Sequence, residues 1–309
     1  MRALGIPRFG GPDVLGVVER PLPEPGPGEI RVRVAAAAVN PSDLALRSGF
    51  FAPFLGELPP PYTPGMDAAG TVDSVGPGSR FARGDRVLAF VNPLTPNGGA
   101  QAEYVVVPQD QAAEVPPALE LEDAAGLPMN GLTAHQALAL LDLPGGATLA
   151  VSGATGALGG LLVQLACYRG LRVIAGAHPQ DHELIRSLGA GPVARDLDAY
   201  LEAVPEGVDA FVDAAGIGAE AARVVKHGGD YVQCGAAPVT LPADRELVHH
   251  RLNVLAHPGK AAALTQLAAL AAKGILTPRT ASRLAPDGAA QAHRRLEAGG
   301  LRGRQLLVF

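Results

Sequence analysis

The chain has 309 residues, enough for two domains at ~150 residues each and for a full hydrophobic core without disulfide or metal staples. With 48% hydrophobic and 18% charged residues and a net charge of −5, it reads as globular, and no basic face recommends nucleic acid as a partner. Its two cysteines, Cys167 and Cys234, belong to no paired metal-ligand motif and the N-terminal Met-Arg-Ala-Leu lacks the apolar core of a signal peptide, so a reducing, cytoplasmic location is expected, with no membrane partner.

The first third predicts strands between turns. Ile30 to Val39 alternates Ile30, Val32 and Val34 against Arg31 and Arg33, the period of a half-buried strand, after a Pro-Glu-Pro-Gly-Pro-Gly turn. Val72 to Val75, Arg86 to Val91 and Ala102 to Val107 repeat the theme, so this part is expected to be all-β or barrel-like. From about Glu120 helix and strand alternate: helix Leu132 to Leu141, strand Thr148 to Ser152, helix Ala157 to Tyr168, strand Leu171 to Ala175, helix Gln180 to Leu188, strand Ala210 to Asp213, a helix through Val224 to Lys226 and strand Asp230 to Cys234. That alternation predicts an α/β fold with a parallel sheet covered on both faces. Helices Ala261 to Lys273 and Pro286 to Ala298 and a strand Gln305 to Phe309 close the chain.

The sharpest local feature is Ser152-Gly153-Ala154-Thr155-Gly156-Ala157-Leu158-Gly159, with glycines three apart where an apolar strand ends and an apolar helix begins. Ala147 to Tyr168 is uncharged over a membrane-spanning length, but the glycines and the Thr-Gly break mark it as strand, turn and helix. A helix start of this kind offers free N–H groups and a positive dipole end to a pyrophosphate, so Gly153, Gly156, Ala157, Leu158 and Gly159 are candidate cofactor-binding residues; the bland alternative is a tight turn with close helix packing. The motif also suggests short-chain dehydrogenases. Those place it at the chain start and add Tyr-x-x-x-Lys, and here no tyrosine has lysine four positions on.

Taken together, Val39-Asn40-Pro41-Ser42-Asp43, Pro64-Gly65-Met66-Asp67-Ala68-Ala69-Gly70, Gly84-Asp85-Arg86-Val87, Gly99 to Pro108, Leu127-Pro128-Met129-Asn130-Gly131-Leu132-Thr133-Ala134, the glycine turn, Gly228 to Gly235 and Ala292-His293-Arg294 occur in order along nearly the whole chain. In these the sequence resembles the medium-chain dehydrogenase/reductase superfamily, in its zinc-free quinone oxidoreductase (zeta-crystallin-like) branch. The resemblance implies a GroES-like β-rich catalytic domain over residues 1–121 and a Rossmann doubly wound parallel sheet binding NAD(P) over 122–258, with 259–309 returning to the catalytic domain. It also implies a cofactor cleft between the domains and a homodimer.

Zinc-dependent relatives carry cysteine where this chain has Asn40, a His-Glu pair where it has Met66-Asp67, and a cysteine-rich lobe after the Gly-Asp-Arg-Val motif, where the connection from Val87 to Gly99 has no cysteine. A catalytic zinc needs three N, S or O ligands held together, so no metal is expected. Asn40, Ser42 and Asp43 follow a strand and are suited to capping a short helix; the resemblance also places Asn40 near nicotinamide and substrate. It marks Asn130 as a further catalytic candidate and Thr133, Gly176, His178, Ala214, Gly235 and Arg304 as cofactor-binding candidates. Phe51 stands where enoyl-thioester reductases carry a proton-donating tyrosine, and a phenyl ring offers only an apolar wall.

An NAD-preferring Rossmann strand ends in Asp or Glu for the ribose 2′-hydroxyl, whereas here it ends Ile174-Ala175-Gly176-Ala177, which permits a 2′-phosphate. The Lys and Tyr that clamp that phosphate in NADP-dependent relatives are replaced by Asp181 and Asp196, leaving His178, His182, Arg186 and Arg195 as substitutes. NADP(H) is therefore favoured and NAD(H) possible. The expected function is NAD(P)H-dependent reduction of a small-molecule quinone or α,β-unsaturated carbonyl by hydride transfer without a metal; the alternative is an NAD(P)H-binding redox sensor or structural protein with little turnover.

Overall fold

A computed structural model of the chain, which describes residues 1–235 and 237–309, gathers its elements into two units: Met1–Met129 joined by Pro258–Phe309, and Asn130–His257. In the first, β1 (Arg2–Gly5) and β2 (Gly16–Glu19) pair antiparallel. The long β3 (Glu29–Val39) buries Ile30, Val32 and Val34 and turns Arg33 outward, then buries every residue from Ala36 to Val39, where three alanines let backbone pack closely on both sides. Helix α1 (Pro41–Ser48) starts with proline in its first turn and stops at Gly49, whose φ of 88° is the left-handed conformation that ends helices. Next come β4 (Asp67–Val75), β5 (Arg86–Phe90), β6 (Tyr104–Pro108), β7 (Ala112–Glu114) and the one-turn α2 (Leu121–Ala124). One edge of β3 pairs with β4; the first half of its other edge pairs with β6.

Helix α3 (Pro128–Leu141) starts four residues before the expected Leu132, because proline is at home in a helix's first turn. Beyond it follow β8 (Thr148–Val151), α4 (Ala157–Tyr168), β9 (Arg172–Gly176), α5 (His182–Ser187), β10 (Gly191–Val193), α6 (Leu197–Ala203), β11 (Val208–Asp213), β12 (Val225–Gln233) and β13 (Val248–Arg251). These six strands form one parallel sheet in the order β10-β9-β8-β11-β12-β13, the doubly wound topology expected, with its switch point between β8 and β11. The uncharged run from Ala147 is thus β8, the turn and α4, and among the described residues no helix is long and apolar enough to cross a membrane. The helix expected through Val224 to Lys226 is corrected: a 3-10 turn over Ala219–Val224 ends there, and Val225 already pairs with Val208 in the sheet. The strand then bulges before Asp230 takes up register with Ala210, and Gly228, at φ 73°, allows the bend. Tyr200, Phe211, Tyr231, Val208 and Ile174 fill the core of this unit.

The chain returns through α7 (Lys260–Ala272), β14 (Thr280–Leu284), α8 (Ala289–Ala298) and β15 (Arg304–Val308). Strand β15 takes the remaining half of the β3 edge, antiparallel, and β14 adds to it in parallel, completing a seven-stranded sheet over a core of Ile30, Val32, Val72, Val87, Val105 and Val107. The β-rich character expected of the first third therefore extends to the last residues.

Candidate functional site

The glycine turn lies at the carboxyl end of β8, beside the switch point. Gly153 adopts φ +63°, and a Cβ there would come 3.3 Å from the Cβ of Ala215. Gly156 precedes the first residue of α4, whose N-terminus receives no side-chain cap. A Cβ on Gly159 would stand 2.2 Å from the Gly153 carbonyl oxygen, so only glycine lets the helix approach the turn this closely. Gly153, Gly156, Ala157 and Leu158 are partly exposed while Gly159 is buried. Uncapped N–H groups at the positive end of a twelve-residue helix suit an anion, and the close-packed glycines of the turn fit the pyrophosphate of a dinucleotide.

Gly176 ends β9 for a reason that nothing in the sequence alone marked. A Cβ there would lie 2.0 Å from the hydroxyl of Tyr200, a fully buried α6 side chain that donates to the Val151 carbonyl at 2.9 Å, one residue before the turn. His178 just beyond is exposed, its Nδ1 accepting weakly from the Gln180 N–H at 3.4 Å. The N–H of Ala177 donates to the Val193 carbonyl at 3.0 Å, so the segment leading to Arg195 runs beside the one leading to His178. Asp196 accepts from the N–H of Ala199 at 3.0 Å as the cap of α6, and Asp181 is buried. Ala214 and Gly235 follow β11 and β12; a Cβ on Gly235 would meet nothing within 4 Å.

In the other unit, Asn40 sits on a buried polar network. Its backbone N–H donates to Asp43 at 2.8 Å and its side-chain Nδ2 donates to Asp67 at 2.6 Å, while its Oδ1 is buried without a partner among the described residues. Asp43 also accepts from the N–H of Gly65 at 2.9 Å and from Gln101 Nε2 at 2.9 Å, and Asp67 accepts from the N–H of Met129. Arg304 is buried in the same place, its Nη1 donating to the Val39 carbonyl at 3.0 Å and its Nε without a partner among the described residues. Two carboxylates thus share the interior with one guanidinium. Burial pushes Asp43 up to about 7 against the pull of its N–H donors, raises Asp67 likewise, and lowers Arg304 against the attraction of both acids.

The structure therefore places Asn40 at the start of α1 with its backbone N–H held by Asp43 and its side-chain oxygen unfilled, and places the Arg304 guanidinium as a counter-charge to Asp43 and Asp67. Phe51 lies beyond the far end of α1, about 12 Å along an eight-residue helix, packed against Ile6, Leu46 and Leu55 and edge-on to Phe50 at 5.5 Å. Asn130 and Thr133 are buried polar residues three apart on α3, hence on one face. Asp67, Gln101, Tyr200 and Asp213 are site residues that the sequence alone does not single out; the only signal for the last is an acid after the apolar run Ala210 to Val212. Among the described residues no group of three His, Cys, Asp or Glu side chains could hold a metal ion, and Met66 and Asn40 present a thioether and an amide already committed to Asp67.

Comparison with known proteins matches residues 26–117 to the alcohol dehydrogenase GroES-like domain and residues 188–307 to the family described as zinc-binding dehydrogenase. The chain is 34% identical over 263 residues to an NADPH-dependent alkenal/one oxidoreductase of Arabidopsis thaliana chloroplasts, covering 82% of this chain and 67% of that protein. It is 32% identical over 256 residues to a 2-methylene-furan-3-one reductase of Solanum lycopersicum, covering 80% and 65%. Thus the chain spans about two thirds of these relatives' length. Among solved structures, the quinone oxidoreductase from Coxiella burnetii superposes with a TM-score of 0.88 at 28% identity over 100% of this chain and 99% of that one. A structure described as an NAD-dependent alcohol dehydrogenase does so with a TM-score of 0.88 at 32% identity over 100% of both chains.

Proposed function

Because the chain belongs to the medium-chain dehydrogenase/reductase superfamily, in its zeta-crystallin-like quinone oxidoreductase branch, we propose that it is an oxidoreductase reducing quinones or α,β-unsaturated carbonyls with NADPH. The observation that carries this reading is one chain's combination of an uncapped glycine-turn helix start with Asn40, an amide, where zinc-dependent relatives place a metal ligand. No group of three metal ligands lies among the described residues, which supports an acceptor that spreads the developing charge itself by conjugation in place of one polarised by a metal. Quinones and enones do so; simple alcohols and ketones do not.

Gly153, Gly156, Ala157, Leu158 and Gly159 would hold the pyrophosphate, with Ala214, Gly235 and Thr133 toward the nicotinamide. Bound there, the reduced nicotinamide supplies a hydride equivalent. Gly176, His178 and the neighbouring Arg195 would take the ribose 2′-phosphate. Three observations support this preference for NADPH: no carboxylate ends β9, Asp196 is spent on its helix cap, and among the described residues Arg195 has no carboxylate partner. Asn40 would orient the acceptor through its unpaired Oδ1, its Nδ2 being fixed by Asp67, and Asn130 is a second candidate for that role. Phe51 would supply an apolar wall, and the proton would come from water, since a phenyl ring has none to give. Asp43 and Asp67 hold Asn40 by hydrogen bonds, and the buried Arg304 guanidinium attracts both acids. We place the protein in the cytoplasm as a homodimer, with a small-molecule substrate and no zinc. The test is NADPH and NADH oxidation over a panel of quinones, enones and simple ketones: turnover of the conjugated acceptors with NADPH supports the proposal, and turnover of ketones alone overturns it.

A further inference from the structure

At the switch point of the parallel sheet one buried carboxylate gathers five hydrogen bonds. Asp213, the last residue of β11, accepts on Oδ1 from Ser152 Oγ at 2.7 Å, from the N–H of Gly216 at 2.9 Å and from the N–H of Ile217 at 3.0 Å. Its Oδ2 accepts from the N–H of Gly218 at 2.8 Å and from the Tyr231 hydroxyl at 2.9 Å. Ser152 in turn accepts from the N–H of Ala215 at 2.9 Å. Gly216 and Gly218 have φ of 77° and 84°, the left-handed values that let successive N–H groups converge on one anion. Burial opposes the charge, yet these donors together keep Asp213 below the ordinary carboxylate range.

The loop held in this way is the one that touches the glycine turn. Ala214 and Ala215 lie against Gly153, where an added Cβ would approach the Ala215 Cβ to 3.3 Å and the Ala214 carbonyl carbon to 3.4 Å. Ser152 immediately precedes Gly153 and belongs to β8's neighbourhood, its N–H donating to the Val212 carbonyl at 3.1 Å. One side chain therefore fastens the loop after β11 to the turn after β8. Ligands of doubly wound sheets bind at this switch point.

We propose that Asp213 is a positioning residue for the dinucleotide: it touches no ligand itself, but it fixes the 214–218 loop against the Gly153 turn and so sets the shape of the cofactor cradle. This rests on the NADPH-dependent reading above. The isosteric Asp213→Asn keeps the shape and removes the charge, and its NH₂ must face either two or three of the five donors. The loop then leaves its binding-competent form for much of the time, and apparent affinity falls by the fraction lost.

The experiment measures, on the full chain, the dissociation constants of NADPH and NADH by cofactor fluorescence, the cofactor KM and kcat with a quinone, and thermal melting by circular dichroism. For folded Asp213→Asn, both dissociation constants and the cofactor KM should rise about tenfold while kcat stays within about twofold, since the loop acts on binding and not on the acceptor. Ser152→Ala, which removes the bridge from Ala215, should move the same quantities in the same direction by less, and decides the matter if Asp213→Asn does not fold. Folded Asp213→Asn, or failing that Ser152→Ala, with parent affinity for both cofactors overturns the proposal. A parent protein that binds neither cofactor overturns the functional reading and the proposal together.

Discussion

Gly176→Ala probes why the second strand of the parallel sheet ends without a side chain. The new Cβ would stand 2.0 Å from the Tyr200 hydroxyl and 2.9 Å from its Cζ, in a region where Tyr200 is fully buried. The phenol must move, and its 2.9 Å hydrogen bond to the Val151 carbonyl is lost with it. Overpacking a filled core costs about 1–3 kcal/mol, and an unpaired buried polar group about 1–3 kcal/mol, so the substitution should destabilise by about 3 kcal/mol. Tyr200→Phe alone should cost about 1 kcal/mol. Without the hydroxyl the closest obstacle is Cζ, so Gly176→Ala in the Tyr200→Phe background should cost at least about 1 kcal/mol less than in the parent. Urea unfolding of the four proteins in a double-mutant cycle measures that coupling. Additivity within about 0.5 kcal/mol would refute the packing explanation and leave cofactor contact as the reason for Gly176.

His293 and Asp43 should oppose each other in the pH dependence of stability. Burial, then the adjacent Arg47 guanidinium, pushes His293 down to about 4, so the stability tied to its neutral form is present above the ordinary 6.5 and lost as pH falls through 4; the full effect is about 3 kcal/mol. Asp43, raised to about 7 by burial, contributes stability at low pH that is lost as pH rises through 7. On acidification from neutral pH, His293→Gln should therefore lose less in urea midpoint than the parent, and Asp43→Asn more; equal losses would contradict the assignment. Arg195→Ala should weaken NADPH binding about tenfold and leave NADH unchanged, as expected of a charge-assisted contact to phosphate; a loss common to both cofactors would remove Arg195 from that role. Asn40→Ala should slow turnover at least about tenfold with cofactor affinity unchanged, and a parent rate would leave Asn40 only its place in the network beside Asp67.

The parallel sheet was legible in sequence because its strands are short apolar runs between helical segments, and the glycine turn because its residues must sit together to make the turn at all. The helix placed through Val224 to Lys226 failed because local pattern cannot report that Val225 meets Val208 across the sheet, or that Gly228 lets the chain bulge there. The same limit hid the supports of the candidate site. Asp43 was legible as a helix-start residue, since its partner Asn40 is three positions away. Its link to Gln101, the attraction between Arg304 and Asp67, the Tyr200 hydroxyl under Gly176 and the Ser152 and Tyr231 hydroxyls on Asp213 all join residues distant in sequence. Such long-range partners emit no periodicity. Asp181 and Asp196 show the reverse: at alignment positions of a phosphate clamp they read as obstacles, whereas in the fold one is buried and the other is a helix cap.

Reduction of a conjugated acceptor at the expense of NADPH consumes both partners together. The most direct measurement follows NADPH by absorbance and, in the same reaction, a simple enone by chromatography of its saturated product. NADPH should disappear one for one with the carbon–carbon double bond, or with the quinone when a quinone replaces the enone. Protein that binds NADPH but consumes it with no quinone or enone in the panel would contradict it.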